Sequence, residues 1–357
     1  MTRFIQLIML TSTLTCIAYL VQNDAKTAFR LEDGNYFLVE NTTQLPFVTE
    51  NMTIASNFTD IPLTPHPAIH IQLNIDLKQY VQDKIEKNID IPAKPINEHS
   101  YGYIHRPPKC QFTNTTANIT LLVLVKSSVQ NVLLRTAIRN TWGSGLSGNT
   151  ILRFMLGYHK AHVETTKTED KIHHDVIVEK FVDSYPNNTL KTIMGFNWAV
   201  NECPTARVIL FLDDDHLPHM GNIMAFLRSL TPDQLDSLFC GYRLDHGLVY
   251  KGKHQWALPK KIYPHTHWPP YLRGGAYLVS LKIAKRFSLA FPFVQYLHVD
   301  DGYLGIVALK LDIKPQHDYR FQMDKKMLRT NKTYFVYNDY KHTSLLRNDW
   351  GVIKNNN

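Results

Sequence analysis

The sequence predicts an α/β domain built on a mostly parallel central sheet with helices on both faces, and three observations carry this prediction. Residues 208–212 form an apolar run without polar alternation, which is typical of a strand buried on both faces. Residues 119–125 form a second such run. Segments with helical spacing, at residues 129–141 and 190–201, alternate with these runs. The alternation indicates parallel strands joined by right-handed crossovers.

The same periodicity predicts the remaining elements, with less regularity toward the C-terminus. Further strands are predicted at residues 150–156 and 175–178, and further helices at residues 221–230 and 281–289. Two glycines precede a short strand that ends near residue 280, and another helix begins near residue 300. Residues 72–87 are compatible with one more short helix, and the polar tail after residue 314 gives no clear pattern.

Composition narrows the classes of protein. A hydrophobic content of 44% in 357 residues is enough for a substantial core in one large or two ordinary domains. The formal charge of +8 fits an anionic substrate, a membrane surface or nucleic acid. Nucleic acid is the weakest of these, because the sequence has no Lys/Arg-rich run, no zinc-finger spacing and no RNA-binding aromatic motif.

The N-terminus predicts entry into the secretory pathway. Residues 4–21 are largely apolar, and as a helix they would span about 27 Å, close to the thickness of an early secretory bilayer. The end of this run lacks a small-x-small cleavage site, which favours an uncleaved signal-anchor over a signal peptide. Arg3 then predicts a cytosolic tail at residues 1–3 and a luminal body, as in a single-pass type II membrane protein.

The luminal body divides into two parts by pattern. Residues 22–108 lack sustained periodicity and contain several prolines, which predicts a stem, with a small accessory domain as the alternative. Residues 109–357 then form the folded domain. Asn-x-Ser/Thr sequons agree with luminal exposure, and they begin at Asn41, Asn51, Asn57, Asn114, Asn118, Asn187 and Asn331.

Three of the four cysteines lie in the predicted luminal part. Cys16 falls in the predicted membrane segment, which leaves Cys110, Cys203 and Cys240. An odd number permits one disulfide and one free thiol. Cys203 precedes the core strand and Cys240 ends an apolar stretch, so these two are the predicted pair.

The acidic triplet Asp213, Asp214 and Asp215 directly follows the core strand. Three unpaired carboxylates do not share the burial of that strand, so they are expected at the C-terminal edge of the sheet, where open α/β folds bind ligands. Like charges this close repel, and a divalent cation with oxygen ligands relieves the repulsion. The pattern therefore predicts a magnesium or manganese site that also binds a diphosphate, against the alternative of a solvated acidic turn.

A second acidic pair, Asp300 and Asp301, stands at a predicted helix start. The plain interpretation is a helix N-cap. The functional one is a base that accepts a proton from a hydroxyl, since a helix N-terminus keeps a carboxylate ionised.

A glycine pair and an arginine pair are weaker indications of a binding site when each is taken alone. Gly274 and Gly275 permit close backbone approach to a ligand, or an ordinary turn. Arg135 and Arg139 lie four apart on one helical face, where they either clamp phosphates or form a structural ion pair with acids.

Taken in order, these stretches resemble the β-1,3-galactosyltransferase family, which includes β-1,3-N-acetylglucosaminyltransferases and a brainiac-like branch. The resemblance covers roughly residues 118 to 310, and its motifs are RTAIRNTWG from residue 135, FLDDD from residue 211, WPPYLRGGAYLVS from residue 268 and VDDGYLG from residue 299.

The resemblance implies a GT-A fold with a Rossmann-like domain in a Golgi membrane enzyme. It implies transfer of galactose in β-1,3 linkage, with inversion, from UDP-galactose to a glycan acceptor on lipid or protein, with Mn²⁺ or Mg²⁺. N-acetylglucosamine or N-acetylgalactosamine as the transferred sugar is the alternative within the family. A luminal glycan-binding protein without activity and a metal-dependent phosphohydrolase are alternatives outside it.

By position, the resemblance assigns Asp213 and Asp215 to the metal and all three acids of the triplet to the UDP diphosphate. It also implies donor binding near Arg135, Arg139, Gly274 and Gly275. Asp301 matches the catalytic base, although Asp300 and Gly302 stand where Glu and Val are usual. His342 is a candidate third metal ligand. The oligomeric state has no signal in the sequence.

Overall fold

A computed structural model describes residues 10–12, 15–22, 25–32, 35–39, 75–113, 119–321, 323–328 and 333–354. The chain divides into two units, Met1–Leu63 and Thr64–Asn357. The described part of the first unit is an antiparallel sheet in the order β1-β2-β3-β4. Its strands are β1 (Leu10–Ser12), β2 (Thr15–Gln22), β3 (Ala25–Glu32) and β4 (Asn35–Val39).

Strands β1 and β2 lie where the sequence analysis predicted a membrane helix over residues 4–21. The structure differs from that prediction at residues 10–12 and 15–22, where Thr11, Thr15, Ile17 and Val21 favour extended backbone. Across the described residues, none of the helices has the length and apolar character needed to cross a membrane. Residues 4–9 lie outside the described ranges.

The second unit contains the predicted α/β domain. Its helices are α1 (Leu77–Lys87), α2 (Val132–Arg139), α3 (Val163–His173), α4 (Asn188–Glu202), α5 (Met220–Ser229), α6 (Pro232–Asp236), α7 (Leu281–Ala290), α8 (Asp300–Lys310) and α9 (Thr343–Lys354). Its strands are β5 (Tyr103–His105), β6 (Leu121–Lys126), β7 (Thr150–Tyr158), β8 (Val176–Val182), β9 (Val208–Asp213), β10 (Leu217–Pro218), β11 (Phe239–Leu244), β12 (Tyr271–Ser280), β13 (Gln316–His317), β14 (Met323–Asp324) and β15 (Val336–Asn338).

The central sheet has eight strands in the order β13-β11-β12-β9-β6-β7-β8-β5. The four strands β9, β6, β7 and β8 are parallel, as predicted, while β12 and β5 join them antiparallel. A small sheet of β10, β15 and β14 lies outside it. The predicted mostly parallel sheet is confirmed, and the antiparallel strands at its two sides make it a mixed sheet.

Side chains alternate between two cores because the central strands are buried on both faces. Leu122 and Leu124 of β6 pack with α1, α4, α7 and α8. Leu121, Val123 and Val125 pack on the other face with α2, α5 and α9. The helices therefore cover both faces of the sheet.

The folded unit begins earlier than residue 109. Helix α1 buries Leu77, Tyr80 and Val81, spaced three and four apart, and the ring of Tyr80 packs edge-on against Phe293. Strand β5 pairs with β8. Residues 75–108, assigned to the stem by their weak periodicity, therefore belong to the second unit, and α1 packs against its core.

The disulfide joins Cys110 to Cys203, not Cys203 to Cys240. The backbone N–H of Cys110 donates to the carbonyl oxygen of Glu202 at 2.9 Å, which brings the segment before β6 to the end of α4. Cys240 is a buried free thiol on β11, and burial raises its pKa to about 12. The predicted pairing was wrong because the order of the strands, which separates the two cysteines, is not visible in the sequence.

We expect the double variant Cys110→Ala/Cys203→Ala to lose about 2–5 kcal/mol of unfolding free energy, since the bridge closes a long loop. The measurement is urea unfolding, with Cys240→Ala as the matched control, which retains the bridge and is expected to lose less. An equal loss in both variants, or a Cys240-containing bridge in non-reducing peptide mapping, would contradict the assignment.

Candidate active site

The acidic triplet, the glycine pair and the acids of α8 meet at one edge of the central sheet, around the buried ammonium group of Lys126. Lys126 ends β6 and is in register with Asp213 at the end of β9. Its Nζ lies 3.1 Å from Asp213 Oδ1 and donates to Asp300 Oδ2 at 2.9 Å and to the carbonyl oxygen of Gly274 at 3.0 Å. Burial opposes the charge of Lys126, but the two carboxylates outweigh burial and raise its pKa well above the ordinary value.

The ligand atoms of Asp213, Asp215 and His216 lie within 4.8 Å of one another. His216 Nδ1 lies 2.6 Å from Asp215 Oδ1. A Cβ at Gly275 would lie 2.6 Å from His216 Nε2 and 3.6 Å from Asp213 Oδ2, so the glycine keeps the space beside these atoms open. Carboxylate oxygens with one imidazole nitrogen form a donor set that suits Mn²⁺, so the residues present fit a divalent cation.

The middle acid, Asp214, is turned toward the loop after β6. It is buried and accepts hydrogen bonds from Ser127 Oγ at 2.7 Å and from Asn131 Nδ2 at 2.9 Å. Burial raises its pKa, although both hydrogen bonds lower it. Asp214 therefore ties the triplet to the loop after β6, and its contact with the donor diphosphate stays a prediction.

The two arginines of α2 form a structural ion-pair network, which was the alternative to phosphate binding. Arg135 is fully buried, and its Nε and Nη2 donate to the two carboxylate oxygens of Glu169 at 2.8 and 2.7 Å. Arg139 pairs with Glu169 and with Asp175, both at 2.7 Å. The Nη1 of Arg135 donates to Ser127 Oγ at 2.9 Å, so the network supports the hydroxyl that holds Asp214.

The glycine pair lies inside the ten-residue strand β12 rather than before a short strand. A Cβ at Gly274 would lie 3.2 Å from the Cβ of Asp301. Gly275 faces His216, as described above. The pair therefore lets β12 approach the carboxylates on both sides, which agrees with the close approach expected of these positions.

The pKa values of Asp300 and Asp301, in the first turn of α8, are shifted in opposite directions. Asp300 accepts from Lys126 and from Thr192 Oγ1 at 2.9 Å, and these contacts lower its pKa although burial opposes them. For Asp301, burial and then the neighbouring charge of Asp300 raise the pKa to about 7. Its Oδ1 accepts from the N–H of Gly302 at 2.7 Å. A carboxyl with a pKa near neutrality suits a proton acceptor.

His342 is exposed and is not part of the three-residue cluster. It lies two residues after Tyr340, whose N–H donates to the carbonyl oxygen of Asp215 at 2.8 Å. Its own carbonyl oxygen accepts hydrogen bonds from Leu345 and Leu346 at the start of α9. His216 stands in the third position of the cluster instead.

Lys126 and His216 were absent from the predicted site, although the sequence carries a signal for each. Lys126 is the first charged residue after an apolar run, the same position that Asp213 has relative to β9. His216 directly follows the triplet.

Asn187 is the one sequon asparagine among the described residues. Its Nδ2, the atom that glycosylation would modify, donates to the carbonyl oxygen of Val182 at 2.8 Å, and the six other sequon asparagines lie outside the described residues.

Comparison with known proteins decides the family. A family model described as galactosyltransferase matches residues 134–319, more than half of the chain. The chain belongs to the galactosyltransferase family. Beta-1,3-galactosyltransferase 1 of Homo sapiens, and equally that of Mus musculus, is 33% identical over 235 residues, which cover 63% of this chain and 70% of the relative.

Two other relatives have similar identity to this chain. Beta-1,3-galactosyltransferase brn of Drosophila melanogaster is 36% identical over 207 residues, covering 56% of this chain and 64% of that one. Lactosylceramide 1,3-N-acetyl-beta-D-glucosaminyltransferase of Xenopus tropicalis is 31% identical over 261 residues, 68% of each chain. Membership makes the chain a hexosyltransferase, and it implies a nucleotide-sugar donor and a glycan acceptor.

The raised pKa of Asp301 predicts that this residue reduces stability at neutral and alkaline pH. Between about pH 4 and pH 7 the unfolded chain releases this proton while the folded chain keeps it, so stability falls as the pH rises through that window. The amide of Asn does not titrate, so a substitution by Asn removes this pH-dependent loss of stability. We expect Asp301→Asn to raise the unfolding free energy at pH 8 by on the order of 1–2 kcal/mol, and by less as the pH falls toward 4.

The measurement is urea unfolding with EDTA across this pH range. Asp312→Asn is the matched control, because Asp312 is exposed, pairs only at the surface with Lys78 and has a positive φ that Asn tolerates. A gain that is independent of pH, or shared by the control, would contradict the raised pKa.

Proposed function

We propose that the chain transfers galactose from UDP-galactose to a glycan hydroxyl, in β-1,3 linkage with inversion. One observation carries this proposal: the cluster of Asp213, Asp215 and His216 lies at the same sheet edge as Asp301, with Lys126 bridging Asp213 and Asp300. A cation site beside a proton acceptor suits a reaction in which an anionic leaving group departs as a hydroxyl attacks. The names of the human and Drosophila relatives support galactose as the transferred sugar.

Asp213, Asp215 and His216 would hold Mn²⁺ or Mg²⁺. When bound, such a cation neutralises the diphosphate of the UDP leaving group. Lys126 holds Asp213 in position at the end of β9, because its buried ammonium group contacts this carboxylate directly. Gly275 leaves the space beside His216 and Asp213 free of a side chain.

Asp301 acts as the base in this proposal. The acceptor oxygen forms a bond to the anomeric carbon, the bond from that carbon to the diphosphate oxygen breaks, and the acceptor proton passes to the carboxylate of Asp301. One displacement inverts the anomeric configuration. The packing of Gly302 against the ring of Trp268, where a Cβ would lie 2.6 Å from the ring, supports the position of Asp301 at the start of α8.

N-acetylglucosamine is the second candidate for the transferred sugar. The Xenopus relative, which is named as a transferase of N-acetylglucosamine to lactosylceramide, aligns with this chain over 68% of its own length. A difference of one N-acetyl group is decided by few contacts around the sugar.

The proposed location is the lumen of the secretory pathway, at the Golgi membrane. The Cys110–Cys203 disulfide supports this location, since structural disulfides persist in oxidising compartments. The seven sequons agree with it.

A donor and acceptor screen with the full chain tests the proposal. The donors are UDP-galactose, UDP-N-acetylglucosamine and UDP-N-acetylgalactosamine, and the acceptors are methyl β-glycosides of N-acetylglucosamine, galactose and lactose. We expect transfer from UDP-galactose with Mn²⁺, loss of transfer with EDTA, and a β-1,3 linkage in the product by NMR. Gly275→Ala should lower Mn²⁺-dependent UDP binding in calorimetry by at least about tenfold, since its Cβ collides with His216.

The other outcomes identify the competing functions. Release of phosphate from the nucleotide without an acceptor would indicate a phosphohydrolase. Glycan binding by a folded chain that binds no UDP at any Mn²⁺ concentration would indicate a non-catalytic glycan-binding protein. Transfer from another UDP-sugar alone would replace galactose in the proposal.

The pH dependence of turnover tests the base. Asp301 accepts a proton only when ionised, so kcat/KM should fall tenfold per pH unit below a pKa of about 7. Asp301→Asn should lower kcat by about a thousandfold or more, while the control Asp312→Asn keeps the wild-type profile. An acid limb that survives unchanged in Asp301→Asn would assign it to another group.

A further inference from the structure

Three aromatic rings stand together on the segment that connects β11 to β12. The rings of Tyr250 and His254 are stacked, with centroids 4.0 Å apart and planes 8° from parallel. The ring of Trp256 lies 5.7 Å from that of Tyr250 and 5.0 Å from that of His254. The segment holds itself in this shape, because Leu258 donates to the carbonyl oxygen of Tyr250 at 3.0 Å.

A fourth ring joins them from a different part of the chain. Trp256 Nε1 donates a hydrogen bond to the hydroxyl of Tyr185, which lies in the short turn before α4. Tyr185 is 47% exposed, Tyr250 44% and Trp256 37%. Large exposed apolar groups that contact one another, instead of being scattered singly, mark a binding surface.

The segment that carries the aromatic group is anchored beside the proposed base. Gly247, at the start of the segment, packs against the ring of Tyr271, which itself packs against Gly305 of α8. Trp268, at the end of the segment, lies against Gly302, the residue after Asp301. Both ends of the segment are therefore anchored on α8.

Electrostatics agree with this placement. Burial raises the pKa of Tyr185, and the charges of Asp300 and Asp301 raise it further. Burial also raises the pKa of Tyr271 to about 12, with a contribution from Asp301. Both tyrosines thus lie within the electrostatic field of Asp301.

The chemistry of the four side chains suits a neutral sugar ring better than an anionic diphosphate. Aromatic faces offer a large apolar area to the C–H groups of a pyranose, and the Tyr hydroxyls and the imidazole offer hydrogen bonds to its hydroxyls. Tyr185, Tyr250 and Trp256 are partly exposed, so a part of each ring is open to a ligand, and none of the four residues belongs to the cluster of Asp213, Asp215 and His216.

We propose that Tyr185, Tyr250, His254 and Trp256 form an aromatic platform that binds a pyranose of the acceptor glycan, next to the hydroxyl that Asp301 deprotonates. The proposal rests on the proposed transferase function and adds the acceptor subsite to it. The platform sets acceptor affinity and specificity, and it takes no part in binding the nucleotide.

The test separates the two substrates in steady-state kinetics, with the methyl glycoside that the wild-type chain turns over fastest. Trp256→Ala and Tyr250→Ala should each raise the acceptor KM about tenfold, while the KM for the UDP-sugar stays within about twofold of wild type. Trp256→Phe and Tyr250→Phe, which keep a ring, should recover most of the acceptor affinity. Tyr319→Ala is the matched control, since Tyr319 is 57% exposed and packs edge-on against Tyr334; its acceptor KM should not change.

Two results would overturn the platform: an unchanged acceptor KM in both alanine variants, or a parallel rise in acceptor and donor KM. If an alanine variant does not fold, Tyr250→Leu and the phenylalanine variants supply the comparison. Saturation-transfer NMR on the wild-type chain then decides whether the acceptor ring contacts aromatic protons. Wild-type turnover and Mn²⁺-dependent UDP binding are measured alongside, so failure of the transferase function is distinguished from failure of the platform.

Discussion

A buried ammonium group between two carboxylates holds the site together. Lys126 contacts Asp213 on β9, Asp300 on α8 and the backbone of β12, so one side chain links four elements at the sheet edge. Without it, Asp213, Asp300 and Asp301 would place negative charges close together in a poorly solvated region. Removing one partner from such a buried pair typically costs about 3–5 kcal/mol. The lysine therefore makes the crowding of acids compatible with folding.

A second layer of buried charges fixes the loop from which this arrangement starts. Arg135 binds Glu169 and Ser127, and Lys191 donates to the carbonyl oxygen of Ser127 at 2.7 Å and to Asp183 at 2.9 Å. Buried ion pairs add little net stability, because desolvation offsets their attraction. Their contribution here is positional, since the hydroxyl of Ser127 is the group that orients Asp214. The triplet consequently divides into two outer acids for the cation cluster and one inner acid for the scaffold.

The sequence was sufficient for the central strands and the acidic residues, but not for the partners of the charged groups. An apolar run such as residues 208–212 is stable only when it is buried on both faces of a sheet, so β9 was predictable. Arg135 was ambiguous, because its partner Glu169 lies on α3, a largely polar helix without a strong apolar stripe. The cysteine pairing could not be predicted without the strand order. The C-terminal tail contacts Asp215 through the backbone N–H of Tyr340, and a backbone contact of this kind leaves no pattern in the side chains. Three-dimensional neighbours, rather than local propensity, decided each of these cases.

Helix α1 has a practical consequence for preparing the protein. Its apolar face covers part of the core that includes α7 and Phe293, and Asn97 donates a hydrogen bond to the carbonyl oxygen of Val294. A shortened chain that begins at Lys109 would expose that apolar surface to water and would lose strand β5 from the sheet edge. Truncations intended for crystallisation or secretion should start before Asp76, the residue that caps α1, to keep the molecule monodisperse.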